Sequence, residues 1–74
     1  MTNREMLSYL REEINENRRI VIYLNVLVAK MVSPEDTVTI RKEMNRLTSY
    51  IETCKEEFDK LYEKEVMENY EDLS

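Results

Sequence analysis

Two apolar seams, read outward from Ser33-Pro34, mirror each other, and that symmetry leaves the chain very few ways to fold. The first seam runs Leu7, Leu10, Ile14, Asn17, Val21, Leu24, Val28, Met31, and the second Thr37, Ile40, Met44, Leu47, Ile51, Cys54, Phe58, Leu61. Both advance by alternating steps of three and four, the spacing that keeps side chains on one stripe of a helix and repeats every seven residues. If the chain reverses near Ser33-Pro34, Leu7 meets Leu61, Leu10 meets Phe58, Ile14 meets Cys54, Asn17 meets Ile51, Val21 meets Leu47, Leu24 meets Met44, Val28 meets Ile40 and Met31 meets Thr37. Unrelated heptads fall into such a register only about one time in seven. The seams therefore predict an all-α fold: an antiparallel helical hairpin of two long helices, about residues 3–32 and 34–69, in a single domain spanning 1–74. An acidic end, 70–74, is expected to follow, either fraying or forming a short partner-binding helix.

The boundaries carry their own chemistry. Asn3 is the expected N-cap of the first helix, with Glu5 near the positive end of its dipole. Ser33 suits an N-cap, Pro34 suits the first helical position where no amide donor is needed, and Asp36 follows where the dipole favours an acid. The competing assignment is a strand over Ile20–Val28, which contains five β-branched residues. Continuation of the seam in register on both sides of that segment favours helix. With no Gly and one Pro, the chain also lacks the turn residues a sheet protein needs.

A chain of 74 residues builds one small core, which at this size rarely supplies more than about 3–5 kcal/mol without disulfides, metal or oligomerisation. Cys54 is alone and His is absent, so neither a disulfide nor a common Cys/His metal site can be written, and no metal or other cofactor is expected. Association remains. The segment Ile20–Val32 is apolar except at Asn25 and Lys30, and the seam accounts for only part of it. Ile22, Val26 and Ala29 lie on the back of the first helix, while Ile20 and Leu27 widen the seam on one flank. A helix apolar nearly all round is a buried one. These five residues are the candidate face for self-association, by which two hairpins form a four-helix bundle, or for an unidentified protein partner.

The segment is too short and too polar to span a membrane. The N-terminal residues lack the apolar core and small-residue cleavage site of a secretory signal, so a cytoplasmic setting is expected. The formal charge of −5 is unevenly placed: Glu56–Asp72 holds eight acids against Lys60 and Lys64. The first helix, by contrast, is nearly balanced. Arg4, Arg11 and Arg18 recur at heptad spacing and should face Tyr62, Lys55 and Thr48 across the hairpin, with Arg41 farther along the same flank. A basic flank with an aromatic ring available for stacking suits phosphates of a nucleic acid, or acids of a second hairpin. The architecture resembles the small Rop-like plasmid RNA-binding proteins built as dimers of helical hairpins, which gives the nucleic-acid alternative, although the net acidity opposes it.

Two further resemblances rest on particular residues. Ile14, Arg18 and Val21, with Ser33, Glu35, Glu43, Met44 and Leu47, resemble the helical-hairpin aspartyl-phosphate phosphatases of sporulation response regulators. In place of that family's Ser-Gln-Glu-Leu-Asp run stands Arg41-Lys42-Glu43-Met44-Asn45, and Asn45 cannot supply the carboxylate. The resemblance thus implies a hairpin that binds a signalling protein without dephosphorylating it. Leu10-Arg11-Glu12-Glu13-Ile14 is similar to the first helix of the helical chorismate mutases, whose further helix and cationic pocket have no counterpart here. No convergent acid, base and nucleophile can be assembled, and the expected role is non-catalytic: a small interaction, adaptor or regulatory protein acting through an apolar helical face. Asn17, polar on the seam, is expected to fix register. Cys54 is expected to act as a small buried apolar side chain.

Overall fold

In a computed structural model the chain is described over residues 1–30 and 33–73, with side chains through residue 69. It forms two helices, α1 (Asn3–Lys30, 28 residues) and α2 (Pro34–Leu73, 40 residues), and no strand among the described residues. They pack side by side as a hairpin. Met31 and Val32, expected to close α1, and hence the pairing of Met31 with Thr37, lie outside the described residues. At 1.5 Å per residue α2 spans about 60 Å. It thereby sets the long dimension of a rod 61 × 18 × 14 Å.

The start of α1 differs from expectation by one residue. Thr2, not Asn3, caps it: the Glu5 amide donates to Thr2 Oγ1 at 3.2 Å, the Thr2 hydroxyl donates to Glu5 Oε1 at 3.3 Å, and the Met6 amide donates to the Thr2 carbonyl at 3.0 Å. Thr-x-x-Glu is a capping-box spacing, and it satisfies a donor that the first turn would otherwise leave open. Asn3, released from that duty, donates from Nδ2 to Glu65 Oε2 on α2 at 3.1 Å. This pair falls in the same register as the apolar pairs, one heptad step outside Leu7 and Leu61. At α2, the Ser33 carbonyl accepts both the Thr37 amide at 3.2 Å and the Thr37 hydroxyl at 3.0 Å, and Pro34 is the first helical residue, as its missing donor requires. The far end also shifts. α2 continues as helix to Leu73, so residues 70–73 extend it rather than forming a separate end.

The core sits in the middle of the rod. Leu10, Ile14, Ile51 and Cys54 form one buried cluster, with Val21 and Phe58 packed against it, and Leu47 is buried toward the turn. Cys54, 3% exposed, is the most enclosed of them. Burial fades toward the turn: Leu24, Val28, Ile40 and Met44 occupy the seam but are only half-buried. Two helices alone bury only the strip between them, and side chains on that strip's margins stay open. Among the described residues no ion pair joins the helices; Arg46–Glu43 and Lys55–Glu52 both lie within α2. Exposed pairs of this kind contribute little.

The apolar seam therefore carries the fold. Ile51→Ala is expected to cost about 2–5 kcal/mol, the range for deleting a buried isoleucine side chain, which is most of what so small a core supplies. Val38→Ala, at an exposed position of α2, should cost under about 1 kcal/mol. Urea denaturation followed by circular dichroism measures both; equal losses would place the stability outside the seam.

Candidate functional site

The hairpin has two chemically different flanks. On one, Arg11 and Arg18 of α1 stand at heptad spacing beside Lys55, Phe58 and Tyr62 of α2. The Arg11 guanidinium lies over the Phe58 ring at 5.9 Å from its centroid, within cation–π range. Phe58 in turn stacks on Tyr62, one helical turn along, with centroids 6.1 Å apart and planes inclined by 9°. The result is a short ladder of cation, ring and ring along the groove between the helices.

Two open depressions sit beside this ladder and share residues. The first, of about 310 Å³, is bounded by Arg11, Ile14, Arg18, Lys55, Phe58 and Asp59; the second, of about 300 Å³, by Arg18, Val21, Ile22, Thr48, Ile51, Lys55 and the acid Glu52. Arg18 and Lys55 belong to both, so the depressions form one groove with an apolar floor and a basic waist. Lys55 makes a loose contact with Glu52 at 3.8 Å in its own helix, while Arg11 and Arg18 form no ion pair among the described residues.

The groove joins two features that the sequence reading held apart. Of the basic flank, Arg11, Arg18, Lys55 and Tyr62 are brought together. Arg4 and Arg41 are exposed and lie at the two ends of the same flank, outside both depressions. Of the apolar face, Ile22 forms part of the groove wall, with Val26 and Ala29 exposed one and two turns farther toward the hairpin turn. Ile22 is 65% exposed and Tyr23 beside it 63%. Ile20 and Leu27 turn the other way: successive residues rotate by about 100°, which sets Ile20 some 200° from Ile22. Ile20 is exposed and Leu27 half-buried. The five residues thus lie as the helical spacing sets them, Ile22, Val26 and Ala29 on the back of α1 and Ile20 and Leu27 on the flank beside the seam.

That second flank is polar and was not foreseen. Tyr50 Oη donates to Glu13 Oε2 at 3.3 Å, across the hairpin. Asn17 Nδ2 donates to the Glu13 carbonyl at 2.7 Å and to Glu13 Oε2 at 3.3 Å, so the polar seam residue finds its partner one turn back in its own helix rather than across the interface. Asn17 stays half-buried on the seam while its amide is satisfied within α1. Tyr9 lies one turn before Glu13, whose charge raises its phenol above the ordinary range, helped by a hydrogen bond to that carboxylate. The Tyr50 phenol is raised further, first by Cys54 one turn along α2, then by desolvation and by Glu13. The i,i+4 spacing of Tyr9 with Glu13, and of Phe58 with Tyr62, was the available signal for both clusters.

Past Glu65, opposite the first turn of α1, α2 runs on unpaired. Tyr62 and Glu63 just before that point and Val66 and Met67 just beyond it surround a third shallow depression, and all four are exposed. No described helix is long and apolar enough to cross a membrane, and no group of three or more Cys, Asp or Glu side chains is placed to hold a metal among the described residues. Comparison with protein-family models, with curated proteins and with solved structures finds no match to this chain.

The tyrosine cluster gives a pH dependence of definite sign. A phenol whose folded-state pKa is raised holds its proton longer in the folded chain than in the unfolded one, so its stabilisation is present below the unfolded value near 10 and is lost as pH rises beyond it. Absorbance titration at 295 nm should show the five tyrosines dividing, with Tyr9 and Tyr50 ionising last and helicity falling with them. Tyr50→Phe should remove the latest-titrating component; a single transition near pH 10 for all five would contradict the Glu13 cluster.

Proposed function

We propose that this chain is a non-catalytic interaction protein of the adaptor or regulatory kind, which associates with itself and presents an apolar helical face to a protein partner. The observation that carries the reading is the exposure of Ile22, Tyr23 and Val26 on α1, in a half of the hairpin where the seam is itself only half-buried. Contiguous apolar surface of this kind marks interfaces, and its free-energy cost in water is relieved by covering it. Self-association into a four-helix bundle follows from the same shortage. One hairpin buries five apolar side chains among the described residues, and a second copy would close the seam margins that α1 and α2 leave open.

Recognition would rest on apolar anchors with a polar rim. Tyr23 and Val26 supply anchors near the turn, and Arg19 and Lys30 flank them in sequence. A rigid two-helix rod holds these side chains without the ordering cost a flexible segment would incur, which favours tight docking of a partner.

Light scattering and sedimentation are expected to give twice the chain mass for the wild type and a single chain mass for Ile22→Glu at the same concentration. Circular dichroism should show that the variant keeps its helices. A wild-type monomer up to millimolar concentration would remove self-association from the reading.

A further inference from the structure

The groove on the Arg18 flank and the unpaired end of α2 have complementary surfaces. The groove offers an apolar floor, from Ile14, Val21 and Ile51, between the cations of Arg18 and Lys55, with Asp59 and Glu52 also on its α2 side. The last described turns of α2, on either side of the level of Asn3, offer Tyr62, Val66 and Met67 as an apolar stripe with Glu63 at its side. The stripe matches the apolar floor, and Glu63 matches Lys55. We propose that two copies of this chain dock reciprocally, the exposed end of α2 from each lying in the Arg18–Lys55 groove of the other.

This inference rests on the self-association proposed above and specifies its geometry. Both surfaces lie on the same flank of the rod: Tyr62 stands one heptad from Lys55, and Val66 one turn beyond Tyr62. An antiparallel pairing about a two-fold axis near Asp59 sets Lys55 of each copy opposite Glu63 of the other, since the two are equally far along α2 from that point. The axis brings the two Asp59 side chains together with an Arg11 on either side, which offsets their repulsion. Such an interface is isologous, the same patch used twice, and it closes at a dimer rather than growing into a filament. The docking centres on Arg18 and Lys55 and leaves Tyr23 and Val26 outward for a different protein.

The pairing of Lys55 with Glu63 admits a charge-swap test on the full chain. In the two-fold arrangement Lys55→Glu sets two acids against each other twice over, and Glu63→Lys sets two bases against each other twice over. At low ionic strength, where such contacts are least screened, each variant alone should dimerise about tenfold more weakly than wild type by sedimentation equilibrium. An equimolar mixture should recover a dimer within about twofold of wild type, because the mixed pair has both contacts complementary again. Circular dichroism on each variant keeps loss of folding apart from loss of docking.

The outcomes separate the two proposals. If Lys55→Glu and Glu63→Lys both dimerise as wild type does, or if mixing restores nothing, the reciprocal docking is wrong even where Ile22→Glu still breaks the dimer. If the wild type is a monomer, this proposal and the self-association beneath it fall together. A monomer that binds a short single-stranded RNA by fluorescence anisotropy, with binding lost in Arg18→Glu, would assign the groove to nucleic acid instead.

Discussion

The contact on which everything else depends is the apolar strip between α1 and α2, centred on Leu10, Ile14, Ile51 and Cys54. Among the described residues nothing else has the strength to hold two helices of this length together. Their ion pairs lie within α2, and their hydrogen bonds between helices, Asn3 with Glu65 and Tyr50 with Glu13, sit at the edges of the strip. Such contacts align a packed interface but contribute modestly to its stability. The strip therefore sets the register, and the register decides which side chains share each flank.

Once the register is set, the flanks diverge in chemistry. One collects Glu13, Tyr50 and Asn17 into a hydrogen-bonded cluster closed within the chain. On the other, Arg11 and Arg18 form no ion pair among the described residues and border, with Lys55, Asp59 and Glu52, a groove whose floor is apolar, beside the rings of Phe58 and Tyr62. A flank that satisfies itself has little to offer a partner, whereas one with open cations and apolar surface gains from being covered. The unequal helix lengths add to this imbalance, because the end of α2 beyond Glu65 has no stretch of α1 beside it.

How far these features were legible in the residues depends on the range of the interaction. The seams are periodic over eight positions each, and their mirror symmetry announced the hairpin and its register. The Pro34 start was legible because proline's missing donor restricts it to few positions. The cap of α1 was misplaced by one residue, since Thr2 and Asn3 are both good caps and only the Thr2–Glu5 geometry separates them. The bond of Asn17 to Glu13 was not legible, because seam position alone cannot tell which neighbour a polar side chain will bond.

The sequence by itself determined the two-helix architecture, the register and the excess of apolar surface on α1, because these follow from side-chain periodicity and need no knowledge of distance. Only the tertiary structure decided that Arg18, Lys55 and Ile22 border one groove and that Glu13 accepts from Tyr50 across the hairpin as well as from Asn17 in its own helix. The physical reason is that a helix fixes the angle at which each side chain leaves its axis, whereas sharing a groove depends on how two such angles meet across the packed strip. The basic flank and the apolar patch at Ile22, separate in the linear reading, are one surface in the folded chain.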